Sequence, residues 1–409
     1  MRLFNLSELS KSEYNKLINR SHAKIKKVTP GVLKIVEDVR KNGDGALSRY
    51  TKKFDGVDMS QFRVTEAEIT GAKKSVRADV LKALANAKKN IDAFHEKQKK
   101  SGWSYMKGTA KLGQIVRPID SVGCYIPGGK ASYPSTVLMA AVPAKVAGVE
   151  RIVVVTPPQK DGTVNSAVLA ACDIAGVDEI YKIGGAHAIA ALAFGTKSVA
   201  KVDKIIGPGN VYVTAAKSLV SGEVAIDMPA GPSEVLIIAD DSANPEFVAL
   251  DLAAQKEHDA DASCVLVTTS KDLANKVLRK TQKIDGAIIM TDSIEDAVNF
   301  SNEYAPEHLQ IMTKQSGEVI KGIKNAGSVF LGNYTPVACG DYASGTNHIL
   351  PTGGFARAYS GLGVSDFVKV ISVQEFDKTA LKSISRTIIT LAEVEGLKEH
   401  AKSIKRRLK

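Results

Sequence analysis

The chain has little cysteine, and its pattern does not indicate disulfide bonding. Four cysteines occur among the 409 residues, with no CxxC pair: Cys124, Cys172, Cys264 and Cys339. Isolated thiols of this kind are typical of a reduced, cytoplasmic protein. Cys172 and Cys264 lie in the apolar runs AACDI and SCVLV, where buried and inert thiols are expected. A cysteine nucleophile is therefore disfavoured.

Long apolar runs are also absent. No stretch of eighteen apolar residues occurs, and the polar N-terminus lacks the apolar segment of a signal peptide. We therefore expect a cytoplasmic location and no membrane partner. The net charge of +11 comes largely from scattered lysines, which are more typical of a solvated surface than of a nucleic-acid site. Without a zinc-finger, RNP-type or helix-turn-helix signature, no nucleic-acid partner is expected.

Two common enzyme motifs are missing, namely GxGxxG and GxSxG. A standard Rossmann fingerprint is thus excluded, and Ser233 in PAGPSEV is not expected to be a nucleophile. Three other glycine-rich turns precede predicted helices, at residues 125–129 (YIPGG), 184–187 (GGAH) and 207–210 (GPGN). Each would present backbone N–H groups at a helix N-terminus, where phosphate binds. Three such turns in succession favour a nucleotide site, although glycine also serves ordinary turns.

The order of apolar runs predicts an α/β protein. Helical patterns cover residues 1–20, 29–53 and 63–100, and after Gly108 short β-branched runs alternate with helical segments in two successive series. This alternation predicts two Rossmann-like, doubly wound parallel-sheet domains with small helical N- and C-terminal segments. Ligands are expected beyond the carboxyl ends of such strands. From about Asp377 the chain has a long helical pattern that Gly396 interrupts.

Candidate metal ligands are scattered along the chain. Gln255 and His258 are three residues apart on a predicted helix and so share a face, Asp341 follows a glycine, and His400 falls on an apolar stripe. Each position also has an ordinary structural explanation, such as a surface histidine or a turn aspartate. Their imidazole, carboxylate and amide donors suit zinc, but their spacing alone does not establish a site.

An acid–base pair is suggested by Glu307 and His308, which follow Pro306 just before a predicted strand. Histidine is the common general base near neutral pH, and the adjacent glutamate could deprotonate a water molecule. A solvated turn that contains Glu and His explains these two residues equally well.

Ten motifs resemble the histidinol dehydrogenase family, in order and over nearly the whole chain. They are NGDGAL, CYIPGG, YPSTVLM, IGGAHAIAALAFGT, IIGPGNVYVTAAK, IDMPAGPSEVLIIAD, DLAAQKEH, EYAPEHLQI, GDYASGTNHILPTGG and EGLKEH. The resemblance implies a four-electron oxidation of L-histidinol through L-histidinal to L-histidine, the last steps of histidine biosynthesis, with two NAD molecules reduced. It also implies an aldehyde-dehydrogenase-like arrangement of the two domains.

The resemblance further implies the role of individual residues. One zinc ion per subunit would be held by Gln255, His258, Asp341 and His400, and would orient the substrate. His308 would take the hydroxyl proton, and Glu307 would activate the water that attacks the aldehyde. The expected contacts are, for the substrate, Ser233, Gln255, His258, His308, Asp341, Glu395 and His400, and for NAD, Tyr125, His187 and Asn210.

A homodimer with exchanged C-terminal segments is also implied, in which Glu395 and His400 reach the partner's site. Five residues on a continuous helix point about 140° apart, so a break near Gly396 would let both side chains face one pocket. The implied domains are an N-terminal segment 1–21, a zinc and catalytic domain 22–124 with 233–362, an NAD domain 125–232, and a C-terminal segment 363–409. His187 departs from the family pattern, which usually has glutamine there.

Two other functions are kept open. A different zinc- and NAD-linked amino-alcohol dehydrogenase on the same scaffold would share these motifs. A basic, non-catalytic binding protein would instead bind nucleic acid in a salt-sensitive way and form no NADH.

Overall fold

The computed structural model describes residues 1–20, 22–128, 132–229, 231–258 and 261–409, so Gly129 of the first glycine-rich turn lies outside the described residues. The strands are β1 (Arg2–Asn5), β2 (Trp103–Lys107), β3 (Ala110–Pro118), β4 (Ser121–Tyr125), β5 (Arg151–Thr156), β6 (Glu179–Lys182), β7 (Lys204–Ile206), β8 (Ala225–Ile226), β9 (Glu234–Ala239), β10 (Ser263–Thr268), β11 (Ala287–Met290), β12 (His308–Met312), β13 (Ser328–Leu331) and β14 (Val368–Glu375).

The helices surround these strands. They are α1 (Lys11–Ile18), α2 (His22–Asp55), α3 (Glu66–Ser75), α4 (Ala78–Glu96), α5 (Pro134–Ala147), α6 (Ser166–Ala175), α7 (Gly185–Phe194), α8 (Val211–Val220), α9 (Pro245–His258), α10 (Lys271–Lys280), α11 (Ile294–Tyr304), α12 (Ser316–Val319), α13 (Val337–Tyr342), α14 (Lys378–Val394) and α15 (Lys398–Leu408). Helix α2 is broken at Gly43, whose φ of 48° is not helical.

A five-stranded parallel sheet, in the order β6-β5-β4-β7-β8, forms one half of the molecule. Alternate residues of its strands face opposite layers: Cys124 and Val154 pack with α5 and α6, whereas Val153 and Val155 pack with α7 and α8. Both faces are thus covered, and a strand covered on both faces is a continuous apolar run. The run RIVVVT of β5 is buried except at its first residue.

A six-stranded parallel sheet, in the order β1-β11-β10-β9-β12-β13, forms the other half. Val235 and Ile237 face α9 and α10, whereas Leu236 and Ile238 face α11 and α1. The two doubly wound parallel sheets predicted from the sequence are therefore confirmed.

A third, antiparallel sheet was not predicted. It has the order β14-β3-β2, and the side chains of β2 and nearly all those of β14 are exposed. Helices α14 and α15 follow it and pack on each other. The break between them at Gly396, whose φ is 76°, lies where the sequence predicts an interruption.

Three expectations about the N-terminal part need correction. The single helix predicted over residues 1–20 is wrong at its start, because Arg2–Asn5 form an edge strand that pairs with β11. The helical pattern at 63–100 is divided into α3 and α4. The sequence groups residues 22–124 with 233–362, but β4 is a central strand of the five-stranded sheet and α2 packs on α7 and α8. These residues thus pack against the predicted NAD unit.

Candidate active site

Glu307 and His308 lie at the amino end of β12, an inner strand of the six-stranded sheet next to the edge strand β13. Helix α11 ends at Tyr304, and the next residue, Ala305, has a φ of 49° that turns the chain toward the strand. His308 then pairs with Val235 of β9 on one side and Ser328 of β13 on the other. The side chains of both Glu307 and His308 are buried, so the interpretation as a solvated turn is wrong.

The backbone of Glu234 holds this pair. Its N–H donates to Oε2 of Glu307 at 2.8 Å, and its carbonyl oxygen lies 3.1 Å from Nδ1 of His308. Because a carbonyl oxygen only accepts, Nδ1 carries a proton, and in the neutral imidazole Nε2 has the free lone pair. Nε2 has no hydrogen-bond partner among the described residues. His308 therefore presents a base at Nε2.

The charge state of His308 depends on the two carboxylates around it. Burial by itself would lower the pKa of His308, but Glu307 and Asp341 outweigh it and raise the pKa to about 9. Oδ1 of Asp341 lies 3.8 Å from Nε2. Because part of the increase comes from Asp341, a cation held by that carboxylate would lower the pKa of His308 again and favour the basic form.

Gln255 fits a metal ligand. It is buried on α9, and neither its amide oxygen nor its amide nitrogen has a hydrogen-bond partner among the described residues. A buried amide without a partner is costly in an ordinary protein interior. The amide oxygen is a donor that a zinc ion accepts, although imidazole and thiolate are commoner. An unpartnered amide at this position therefore supports a ligand role.

Two other predicted ligands lie near this region, on α9 and α13. His258 is the last residue of α9 and is exposed, and Asp341 lies on α13 beside His308. Burial raises the pKa of Tyr342, and the carboxylates of both Asp341 and Glu257 add to that effect. The C-terminal end of α9 and the helix α13 are therefore neighbours.

The fourth predicted ligand does not join them within one chain. His400 and Glu395 lie in the exposed C-terminal segment, on α15 and between α14 and α15. Across the residues that the structure describes, no group of three or more His, Cys, Asp or Glu side chains is placed to hold a metal ion. A complete ligand set within a single chain is thus not present in the described part.

A cleft of about 1770 Å³ lies at the carboxyl end of the five-stranded sheet. It is lined by all three residues predicted to contact NAD, which are Tyr125, His187 and Asn210. Tyr125 ends β4, and its hydroxyl accepts from the N–H of Gly185 at the start of α7. Asn210 caps α8 through its side-chain oxygen, which accepts from the N–H groups of Tyr212 and Val213. Two helix N-termini therefore open toward the cleft, as a dinucleotide phosphate requires.

His187 lies in the first turn of α7 and is 1% exposed. Its Nε2 is 3.4 Å from the hydroxyl of Thr51, and its Nδ1 has no partner among the described residues. The rings of Tyr50 and Phe54 flank it. Burial lowers the pKa of His187 to about 4, so the imidazole is neutral near pH 7, with its unpartnered nitrogen buried at the wall of the cleft.

Helix α5 is connected to the Glu307–His308 couple through polar contacts. Thr136 in the first turn of α5 lies 3.1 Å from Nε2 of His348, and Nδ1 of His348 contacts the carbonyl of Asp341 at 2.9 Å. Asp341 in turn approaches His308. These contacts form a path from the first turn of α5 through His348 and Asp341 to His308.

Sequence reasoning missed His348, Glu234 and Arg20. Glu234 is a charged residue at the head of the buried strand EVLIIA, beside the predicted substrate contact Ser233. A charge that opens a fully buried strand is the signal that would have identified it. His348 follows the glycine-rich segment GDYASGT, and no spacing rule selects it.

A family model described as histidinol dehydrogenase matches residues 18–408. The chain belongs to the histidinol dehydrogenase family. Histidinol dehydrogenase of Methanocaldococcus jannaschii is 53% identical, with 99% of this chain and 98% of that protein covered. The enzyme of Clostridium acetobutylicum is 50% identical over 92% of this chain and 91% of its own length. A crystal structure of histidinol dehydrogenase from Elizabethkingia anophelis is 42% identical, with a TM-score of 0.93, and covers 100% of this chain and 98% of that chain.

Membership of the histidinol dehydrogenase family confirms the resemblance stated from the motifs. It makes the chain an NAD-dependent oxidoreductase of histidine biosynthesis. No helix in the described ranges is long and apolar enough to cross a membrane.

Proposed function

We propose that this chain oxidises L-histidinol to L-histidine through L-histidinal, with two NAD molecules and one zinc ion per subunit. The observation that carries the proposal is the buried Glu307–His308 couple, in which Nε2 of His308 has no hydrogen-bond partner among the described residues and lies 3.8 Å from Oδ1 of Asp341. The protein is proposed to act in the cytoplasm, in keeping with its four free cysteines.

In the first half of the reaction, Nε2 of His308 takes the proton of the substrate hydroxyl while a hydride leaves the same carbon for NAD. The contact between Nδ1 of His308 and the carbonyl oxygen of Glu234 keeps the proton on Nδ1, so that Nε2 can accept the proton of the substrate. In the second half, Glu307 takes a proton from the water that adds to the aldehyde carbon, and a second hydride leaves. Water thereby supplies the second carboxylate oxygen of histidine.

Zinc would be held by Gln255, His258 and Asp341 and, from the second subunit, by His400. When bound, the ion supplies coordination that orients the imidazole and amine of the substrate. Ser233 and Glu395 are the proposed further substrate contacts. Tyr125, His187 and Asn210 are the proposed NAD contacts, because they line the cleft at the helix N-termini.

The homodimer with exchanged C-terminal segments is supported by exposed apolar surface. β2 exposes Trp103, Tyr105 and Met106, and β14 exposes Val370 and Ile371. Apolar side chains also project from the C-terminal helices and the break between them, namely Leu391, Val394 and Leu397. Apolar patches of this kind mark association surfaces, and a second copy that covers them would also bring His400 to the incomplete ligand set.

The reaction is tested by NADH absorbance with L-histidinol, with and without a chelator, and with His308→Asn. We expect two NADH per histidinol in the wild type, and loss of turnover on chelation or in the variant. Robust turnover of metal-free protein would contradict the zinc assignment. A panel of amino alcohols addresses the alternative activity, since a better substrate than histidinol would favour another amino-alcohol dehydrogenase.

The exchange of C-terminal segments between subunits is tested by combining two inactive variants, His308→Asn and His400→Ala, through refolding or co-expression. If His400 serves the partner's site, each mixed dimer has one site with both wild-type residues. Half of the dimers in a random mixture are mixed, so about a quarter of wild-type activity returns. If His400 serves its own chain, both sites of every dimer keep a defect and no activity returns.

A further inference from the structure

Arg20 forms a buried ion pair beside the proposed catalytic couple. It follows α1, and its Nε and one terminal nitrogen lie 2.5 Å and 2.6 Å from the two carboxylate oxygens of Glu234. The guanidinium also lies 3.4 Å from the ring centroid of Tyr304. The side chains of Arg20 and Glu234 are 11% and 1% exposed. A pair with this geometry and burial is strongly oriented.

Glu234 depends on this partner because it shares a buried space with a second carboxylate. Burial raises the pKa of Glu234 and the nearby Glu307 adds to this, whereas Arg20 opposes both effects. The N–H of Gly353 also donates to Oε1 of Glu234 at 2.8 Å. Without the guanidinium, two buried carboxylates would face each other with no cation between them.

The backbone of Glu234 contacts both Glu307 and His308. As described above, the N–H of Glu234 binds the carboxylate of Glu307, and its carbonyl contacts Nδ1 of His308. The anchoring of the Glu234 side chain by Arg20 and Gly353 therefore adds to the strand pairing that holds these two backbone groups in place. A displacement of that side chain would move the carboxylate and the imidazole together.

We propose that Arg20 is a positioning residue for the Glu307–His308 couple and acts through Glu234. The inference rests on the proposed function, because it assumes that the couple carries the chemistry. Lysine would not replace Arg20 fully, since an ammonium cannot give two parallel N–H donors while it stacks on Tyr304.

The test compares kcat and KM of Arg20→Met, Arg20→Lys and the double variant Arg20→Met/Glu234→Gln. The matched control is Arg151→Met, which breaks a second bidentate Arg–Glu pair, with Glu179, between β5 and β6 of the other sheet. We expect Arg20→Met to lower kcat at least tenfold, with KM for NAD within twofold of wild type. The kcat of Arg20→Lys should lie between those of Arg20→Met and the wild type. Arg151→Met should keep kcat within twofold of wild type.

The double variant distinguishes positioning from a general structural role. Glutamine removes the unpaired carboxylate and keeps an acceptor for Gly353, so the double variant should recover at least threefold in kcat over Arg20→Met. If Arg20→Met does not fold, Arg20→Lys and the double variant still give kcat values. A second readout is coupling: Arg20→Met should lower kcat by a smaller factor in the Glu307→Gln background than in the wild type, because one of the two groups that Arg20 positions is already lost.

Three results would overturn the inference: kcat of Arg20→Met within twofold of wild type, no recovery in the double variant, or full additivity with Glu307→Gln. These differ from failure of the proposed function, in which the wild-type protein itself forms no NADH from histidinol. In an active wild type, the Arg20 series reports on positioning alone.

Discussion

His187 gives a prediction whose size follows directly from its surroundings. It is 1% exposed, and burial lowers its pKa from 6.5 to about 4. Its one described polar contact, the Thr51 hydroxyl at 3.4 Å, does little to stabilise an imidazolium ion. The folded protein therefore resists protonation of His187, while the unfolded chain accepts the proton at the ordinary pKa.

The direction in which stability changes with pH follows from which state, folded or unfolded, binds the proton. Above pH 6.5 His187 is neutral in both states, and folding is not penalised. As the pH falls from 6.5 toward 4, the unfolded chain binds a proton that the folded chain does not, so stability is lost progressively. The full loss is about 3 kcal/mol at 1.36 kcal/mol per pKa unit, and at pH 5 it has reached about 2 kcal/mol.

The change to test is His187→Gln, which removes the titrating group. Urea unfolding at pH 8 and pH 5 gives the loss of stability for each protein, and the comparison cancels any constant cost of the substitution. The variant should lose about 2 kcal/mol less than the wild type between these pH values. The control is His400→Gln in the presence of chelator, because His400 is exposed. Parallel pH dependence of wild type and His187→Gln would refute the reasoning.

Three further predictions concern the couple, the metal and the dimer. Glu307→Gln should lower kcat by ~10²-fold or more and leave KM for NAD unchanged, measured by NADH formation; an unchanged kcat would remove Glu307 from the mechanism. Gln255→Met should abolish zinc binding, measured by metal analysis, yet stabilise metal-free protein by about 1–3 kcal/mol, because an unpartnered amide is removed; retained zinc would exclude Gln255 as a ligand. Ile371→Asp should convert dimer to monomer in light scattering, because Ile371 is an exposed apolar residue of β14; an intact dimer would place the interface elsewhere.

The parallel sheets could be predicted because their strands carry a strong local signal. Strands such as β5 and β9 are apolar on both faces, and each is followed by a helical segment. β1 lacks that signal: it has four residues, lies at the edge of the sheet and is mostly exposed. Its position depends on pairing with β11, about 285 residues away, and no local pattern records such a contact.

The antiparallel sheet was missed for a related reason. β14 pairs with β3 across 250 or more residues of sequence, and nearly all its side chains face solvent in the single chain. Alternation of buried and exposed residues is the usual mark of a half-buried strand. The burial pattern of β14 has no such alternation, so local periodicity does not reveal the strand.

In the candidate site, Glu307 and His308 could be identified because they are adjacent in sequence. The residues that hold them in place could not be identified in this way. Glu234 and Arg20 contact each other across 214 residues. The Gln255 amide stands out only when its lack of partners is visible. The expectation of ligands beyond the carboxyl ends of the strands fits the cleft of the five-stranded sheet. It fails for the six-stranded sheet, where the couple lies at the amino end.

That failure has a physical explanation in how the two sheets are joined. β8 ends at Ile226 in the five-stranded sheet, and β9, the next strand, begins at Glu234 in the six-stranded sheet. The carboxyl end of a parallel sheet presents helix N-termini, which bind phosphate. The amino end presents free strand N–H groups, and the N–H of Glu234 holds the Glu307 carboxylate in this way. Both edges thus present backbone N–H groups to an anion: helix N-termini at the carboxyl edge suit a phosphate, and a strand N–H at the amino edge binds the Glu307 carboxylate.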